Sequence, residues 1–242
     1  MARGCALLLG LLAASSLHAA PVVRYTFSSP NYGTTSTVAS CATPGLCADF
    51  TTSMAPGGDF TTSPALPANL SGATIDGLIT SFSVSNGIDF VSSSDPNVVL
   101  EQAQVWTDAA GAITQSAFSV YRWLSGTPPH SAGDRVSLVF LGSGGNASRG
   151  VHNTTCGAVD GLGRCTTFAD DSSTSSAIVT ISGSAWTAAT VARPATSVPS
   201  SSAASLVALA LALGALAASR LSLRRRQDNR AIAQTARRRL TR

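Results

Sequence analysis

The chain has 242 residues, 44% apolar and only 12% charged, with arginine as its sole long cation and a formal net charge of +4 at pH 7. That charge is unevenly placed: residues 21–193 hold six arginines against eleven acidic residues, a net of −5, whereas the segment from Arg220 onward holds nine arginines against Asp228. The basic balance therefore belongs to the tail, and the acidic body is excluded as a nucleic-acid binder because its own field repels phosphates.

The first predicted element is a signal peptide over 1–20. Arg3 supplies a positive start, Ala6 to Ala14 an apolar core, and Leu17-His18-Ala19-Ala20 a small-residue exit with cleavage after Ala19 or Ala20. An uncleaved N-terminal anchor is the other reading, set against a core too short to span comfortably. Cys5 precedes the apolar core and leaves with it, so it is no lipoprotein acylation site.

Residues 21–193 then read as an exported ectodomain in which Ser, Thr, Gly and Ala dominate and β-branched residues alternate with polar ones. Strands are predicted at Val22 to Phe27, Ser81 to Val84, Arg135 to Phe140 and Ala177 to Ile181. The clearest local unit is a hairpin: Val98 to Trp106, a turn at Asp108-Ala109-Ala110-Gly111, then Ile113 to Trp123. Outside the two ends no long helical periodicity occurs. Roughly 180 residues suffice for one core, and the pattern predicts an all-β fold, a single antiparallel β-sandwich or jelly-roll-like ectodomain between a signal helix and a transmembrane helix.

Four cysteines remain after Cys5, spaced as two close pairs that suit an oxidising compartment. Three connectivities are open, and the local one, Cys41 with Cys47 and Cys156 with Cys165, is favoured. A metal held by His152, Cys156 and Cys165 is the weaker alternative. No cofactor is expected.

After a Ser-, Ala- and Pro-rich linker at 194–204, the apolar run Leu206 to Ala218 anchors a predicted transmembrane helix over 205–223. A helix from about 202 to 219 would reach roughly 27 Å, a marginal match to a hydrocarbon core of about 30 Å. Its flanks argue for a span over a buried or amphipathic helix: Arg220 can snorkel, and Arg224, Arg225 and Arg226 mark the cytoplasmic end of a tail over 224–242. The expected topology puts residues 21 to about 200 outside and the arginines inside.

Val198-Pro199, then Ser202, the alanine-leucine helix and Arg224-Arg225-Arg226 resemble the PEP-CTERM group of bacterial sorting signals and its relative with an Ile-Pro-Thr-Leu start. Ser200 and Ser201 stand where the family has Glu-Pro, or Thr-Leu in the relative. Phe82 to Gly87, Val105 to Ile113 and Gly183 to Thr187 resemble stretches of the Ser/Thr-rich domains that accompany such signals. The resemblance implies recognition by an exosortase, cleavage near the proline motif, and delivery to the cell surface or extracellular polymer matrix, with extracellular polysaccharide as a partner.

Catalytic patterns are sparse, and no enzymatic activity is expected. There is no G-x-S-x-G elbow, H-E-x-x-H helix, P-loop or EF-hand loop. His130 and His152 are the only histidines of the mature body, and Glu101 is the only glutamate, so a hydrolase would have to be built around them. Gly142 to Asn146 reads as a turn rather than a phosphate cradle. Asp160, Asp170 and Asp171 read as turn formers before calcium ligands. Trp106, Tyr121 and Trp123 are core residues of the hairpin, or alternatively the stacking face of a carbohydrate-binding module.

Overall fold

Alternating burial along short β-rich runs builds the whole body. The structure, a computed structural model, describes residues 20–42 and 45–192. The linker 194–204, the helix 205–223, the tail 224–242 and, Ala20 apart, the signal segment 1–20 lie outside the described residues. The strands in chain order are β1 (Val22–Ser28), β2 (Thr34–Ser36), β3 (Gly57–Thr62), β4 (Ala73–Thr74), β5 (Ile79–Ser85), β6 (Phe90–Ser92) and β7 (Val98–Thr107). They continue as β8 (Ile113–Trp123), β9 (Arg135–Ser143), β10 (Arg149–Val159), β11 (Cys165–Ala169), β12 (Ser175–Ile178) and β13 (Ala185–Val191). A single 3-10 turn at Asp76–Leu78 is the one helical element among the described residues, and no described helix is long and apolar enough to cross a membrane.

All pairings are antiparallel. One sheet runs β13-β1-β3-β5-β6; the larger runs β2-β12-β10-β9-β8-β7-β4, with β11 added to β10. The two face each other across one core. From the smaller sheet come Tyr25, Phe27, Phe60, Val84 and Trp186, and from the larger Val105, Phe118, Val120, Val139 and Leu141. Phe118 is the hinge of this packing, with ring centroids 5.5 Å from Phe60, 6.0 Å from Phe82 and 6.1 Å from Trp186. The indole Nε1 of Trp186 donates to Ser116 Oγ at 2.8 Å, so the buried ring tying β13 to the opposite sheet leaves no donor unpaired.

The predicted strands are present, and Val98 to Trp123 is the hairpin expected. Its turn is fixed by Asp108, whose carboxylate accepts from the backbone N–H groups of Ala110 and Ala112 at 2.8 and 2.9 Å. Gly111 follows at φ +81, where an added Cβ would sit 2.9 Å from the Leu66 carbonyl. One prediction needs trimming: the strand proposed through Ile181 ends at Ile178, because Val179 turns its N–H to Ser148 O at 2.9 Å.

Two bulges decide which way key side chains point. In β10 three steps from Val151 to Thr154 match two steps from Leu138 to Val136 on β9, so one residue is extra. Asn153 takes that place at φ 61. Without it His152 and Cys156 would share a face; with it His152 faces the sandwich interior and Cys156 faces outward. In β7 the extra residue is Glu101, between the pairs Leu100 with Val120 and Gln102 with Ser119.

Beyond its bulge β10 turns back with β11 as a hairpin lying over the outer face of the larger sheet. Phe168 on β11 meets Tyr121 on β8 at 5.7 Å between ring centroids, and Tyr121 Oη accepts from Cys165 N at 2.7 Å. A second small core of Tyr121, Trp123, Val136, Cys156 and Cys165 fills the space beneath.

Candidate functional site: an end cleft and an outer trough

At one end of the sandwich a cleft of about 440 Å³ opens between the Gly45 to Ala48 loop, the β5–β6 turn, and the segment that follows β8. Asp89, Arg122, Trp123, His130 and His152 line it. The β5–β6 turn is held by Asn86, fully buried. Its Oδ1 accepts from the N–H groups of Ile88 and Asp89, and its Nδ2 donates to Ser137 Oγ at 3.0 Å. Gly87 follows at φ +96, the left-handed geometry this Asn-Gly turn requires.

That clamp aims Asp89 at His152. His152 Nδ1 lies 2.6 Å from Asp89 Oδ2, and its Nε2 lies 2.6 Å from the Leu46 carbonyl. Carboxylate and carbonyl oxygens only accept, so both ring nitrogens donate and the imidazole is the cation. Burial alone would push the His152 pKa down; the hydrogen bond and charge of Asp89, with the Leu46 carbonyl, outweigh it and leave the value raised. Burial likewise opposes the charged form of Asp89, but hydrogen bonds from His152 and Ser137 and the charges of His152 and Arg122 hold it below its ordinary value.

A serine does lie beside this pair, in the wrong place for acyl transfer. Ser137 Oγ donates to Asp89 Oδ2 at 2.5 Å, not to the histidine. The ring nitrogen that would have to take a hydroxyl proton already donates to a carbonyl, so His152 holds neighbouring loops together and has no free base. His130 stacks on Trp123 at 4.1 Å and 8° and places Nδ1 3.2 Å from Asp134 Oδ2.

The second concavity is a trough on the outer face of the larger sheet. A part of about 400 Å³ is floored by Gln102, Ser119, Leu138 and Phe140 and walled by Arg149, Phe168 and Ile178. A part of about 260 Å³ runs on under β11 past Tyr121 to Asp160 and Arg164, and Glu101 borders both. Ser119 Oγ donates to Glu101 Oε2 at 2.5 Å, so the bulge carboxylate is fixed at the middle of the floor. Arg149 faces Asp170 at 3.4 Å and Arg164 faces Asp160 at 2.7 Å, which leaves the walls nearly neutral.

The predicted site residues divide as follows. Cys41 is bonded to Cys47 and Cys156 to Cys165, the local connectivity. The metal alternative fails because those thiols are oxidised and His152 is engaged elsewhere; among the described residues no cluster of His, Cys, Asp and Glu could hold an ion. Asp160 accepts from the N–H groups of Leu162 and Arg164 and closes the β10–β11 turn. Asp171 is drawn down to about 2, first by its hydrogen bond from Arg135. Gly142 and Ser143 end β9, and the turn follows them. Tyr121 and Trp123 are buried and Trp106 half-buried, so these three form no exposed stacking face. The trough aromatics Phe140 and Phe168 were the ones sequence reasoning missed; the outward parity of Phe140 opposite Ser119 was the available signal. Val198, Pro199, Ser202, Arg224, Arg225 and Arg226 lie outside the described residues. No protein-family model, curated protein or solved structure matches the chain.

Proposed function

We propose that the chain is an exported bacterial surface or extracellular-matrix protein with no catalytic role, anchored at its C-terminus by one membrane span and carrying a PEP-CTERM-like signal. The proline motif, apolar run and arginine cluster, in that order, are what an exosortase-like protease would read, and they carry the proposal. In this reading a jelly-roll-like body stands between a cleaved signal helix and the transmembrane helix. It occupies the periplasmic side until it is anchored or released to the surface.

Three structural facts support it. All four ectodomain cysteines are paired, as suits an oxidising compartment. The first and last described strands pair along their whole length, so Val22, at the start of the body, lies opposite Val191, at its end. Of the two Asp-His pairs among the described residues, the one whose carboxylate takes a serine hydroxyl, Asp89 with His152, has both ring nitrogens occupied. The test is Pro199→Ala in a host that carries an exosortase. Wild-type protein is expected in the medium, shortened by its tail, while the variant stays full length in the membrane fraction; equal release of both forms would refute the signal.

A carbohydrate-binding module is the second reading, and the outer trough favours it. Phe140 and Phe168, both half-buried, line it beside amide, hydroxyl and carboxylate groups, the mixture a neutral polysaccharide matches.

A further inference from the structure

Of the five sheet edges among the described residues, three are too short to recruit another strand, and β11, with five residues, pairs with β10 through two register shifts. β2 and β6 have three residues each and β4 has two. The fifth, β13, has seven and pairs with β1 from Val22–Val191 to Ser28–Ala185 without a register shift. Natural edges of that length are blunted by lysine, proline, a bulge or an inward charge. Here none is present: β13 reads Ala-Trp-Thr-Ala-Ala-Thr-Val, the run 172–192 contains no charged residue, and the chain contains no lysine. Among the described residues nothing pairs with the backbone on the outer side of β13. All its residues but Trp186 are exposed, including Ala188, whose partner on β1 is the buried Tyr25.

We propose that β13 is a strand-addition site and that its occupant is β13 of a second copy of this chain. Antiparallel pairing about a two-fold axis at Ala188 sets Thr187 opposite Ala189, Trp186 opposite Thr190 and Ala185 opposite Val191. No like charges meet, and a small residue lies at the centre where the two copies approach most closely. The two-fold operator closes the assembly into a dimer. A head-to-tail alternative would need the opposite edge, and β6 offers only three residues and an exposed Phe90. The two smaller sheets thereby become one continuous sheet, with the larger sheets and their troughs left free. The pairing uses only the described body and stands or falls independently of the sorting signal.

The experiment uses the full chain carrying Cys5→Ser, purified in detergent. Sedimentation is expected to give twice the monomer mass, Ala188→Cys to form a covalent dimer under mild oxidation, and Thr26→Cys, on β1 away from the edge, to form none. Ala188→Lys, at an exposed position, is expected to sediment as a folded monomer whose melting temperature, unlike that of wild type, does not depend on protein concentration. A dimer mass that survives Ala188→Lys with no crosslink at 188 would place the contact elsewhere and overturn the proposal. So would a monomeric wild type, whether its β13 amides exchange quickly or are protected by the chain's own flanking segment.

Discussion

Asp89 and His152 show how much one residue pair holds at the end of the sandwich. Their side chains are 12% and 7% exposed, and the pair links the β5–β6 turn to β10 and, through Leu46, to the loop closed by Cys41 and Cys47. Removing one partner strands the other as a buried charge, at a cost of about 3–5 kcal/mol, so Asp89→Ala should unfold at markedly lower denaturant than wild type. The pH dependence has a definite sign. The raised His152 contributes fully below the unfolded imidazole value of 6.5 and loses that contribution as pH rises through the folded value. The lowered Asp89 contributes above the unfolded carboxyl value of 3.8 and loses it as pH falls through the folded value. Wild type minus Asp89→Ala stability, from urea melts across pH, should therefore be greatest between those two values; a difference that grows steadily above pH 7 would contradict the pairing. None of this could be read from sequence. Sixty-odd residues separate the partners, and the inward aim of His152 is visible only once the neighbouring bulge at Asn153 is known.

Among the elements, the β7–β8 hairpin was readable because its signals are local: two alternating runs and an Asp-x-x-Gly turn whose carboxylate caps its own backbone. β10 was not, because its polar run His152-Asn153-Thr154-Thr155 and its bulge break the alternation on which strand recognition depends. The β10–β11 hairpin explains why Tyr121 and Trp123 are buried although they point away from the main core: β11 folds over them. The disulfide that closes this hairpin spans a sequence separation of 9, for which loop-closure entropy gives about 2.5 kcal/mol. Replacing Cys156 and Cys165 together by Ser should cost that much by chemical denaturation. If the trough binds neutral oligosaccharides, the loosened wall that carries Phe168 should also lower affinity by about tenfold, or 1.4 kcal/mol, in calorimetric titration. Full affinity in the double variant would remove the hairpin from the ligand-binding account.

For the molecule as a whole, fold class was the readable part, since sparse charge, numerous turn residues and β-branched alternation all point to paired sheets. Connectivity was not: β13 lies beside β1 through a pairing across more than 150 residues, which periodicity cannot report. That pairing sets the first and last described strands side by side, with Val22 opposite Val191. The most direct test of this organisation is the intact mass of the protein recovered from fractionated cells, measured with and without reduction. The account predicts an exported species that begins at or next to Pro21 and ends near Pro199, and that gains four hydrogens on reduction as its two disulfides open. Cytosolic protein that retains residues 1–20 and gains no mass on reduction would contradict it.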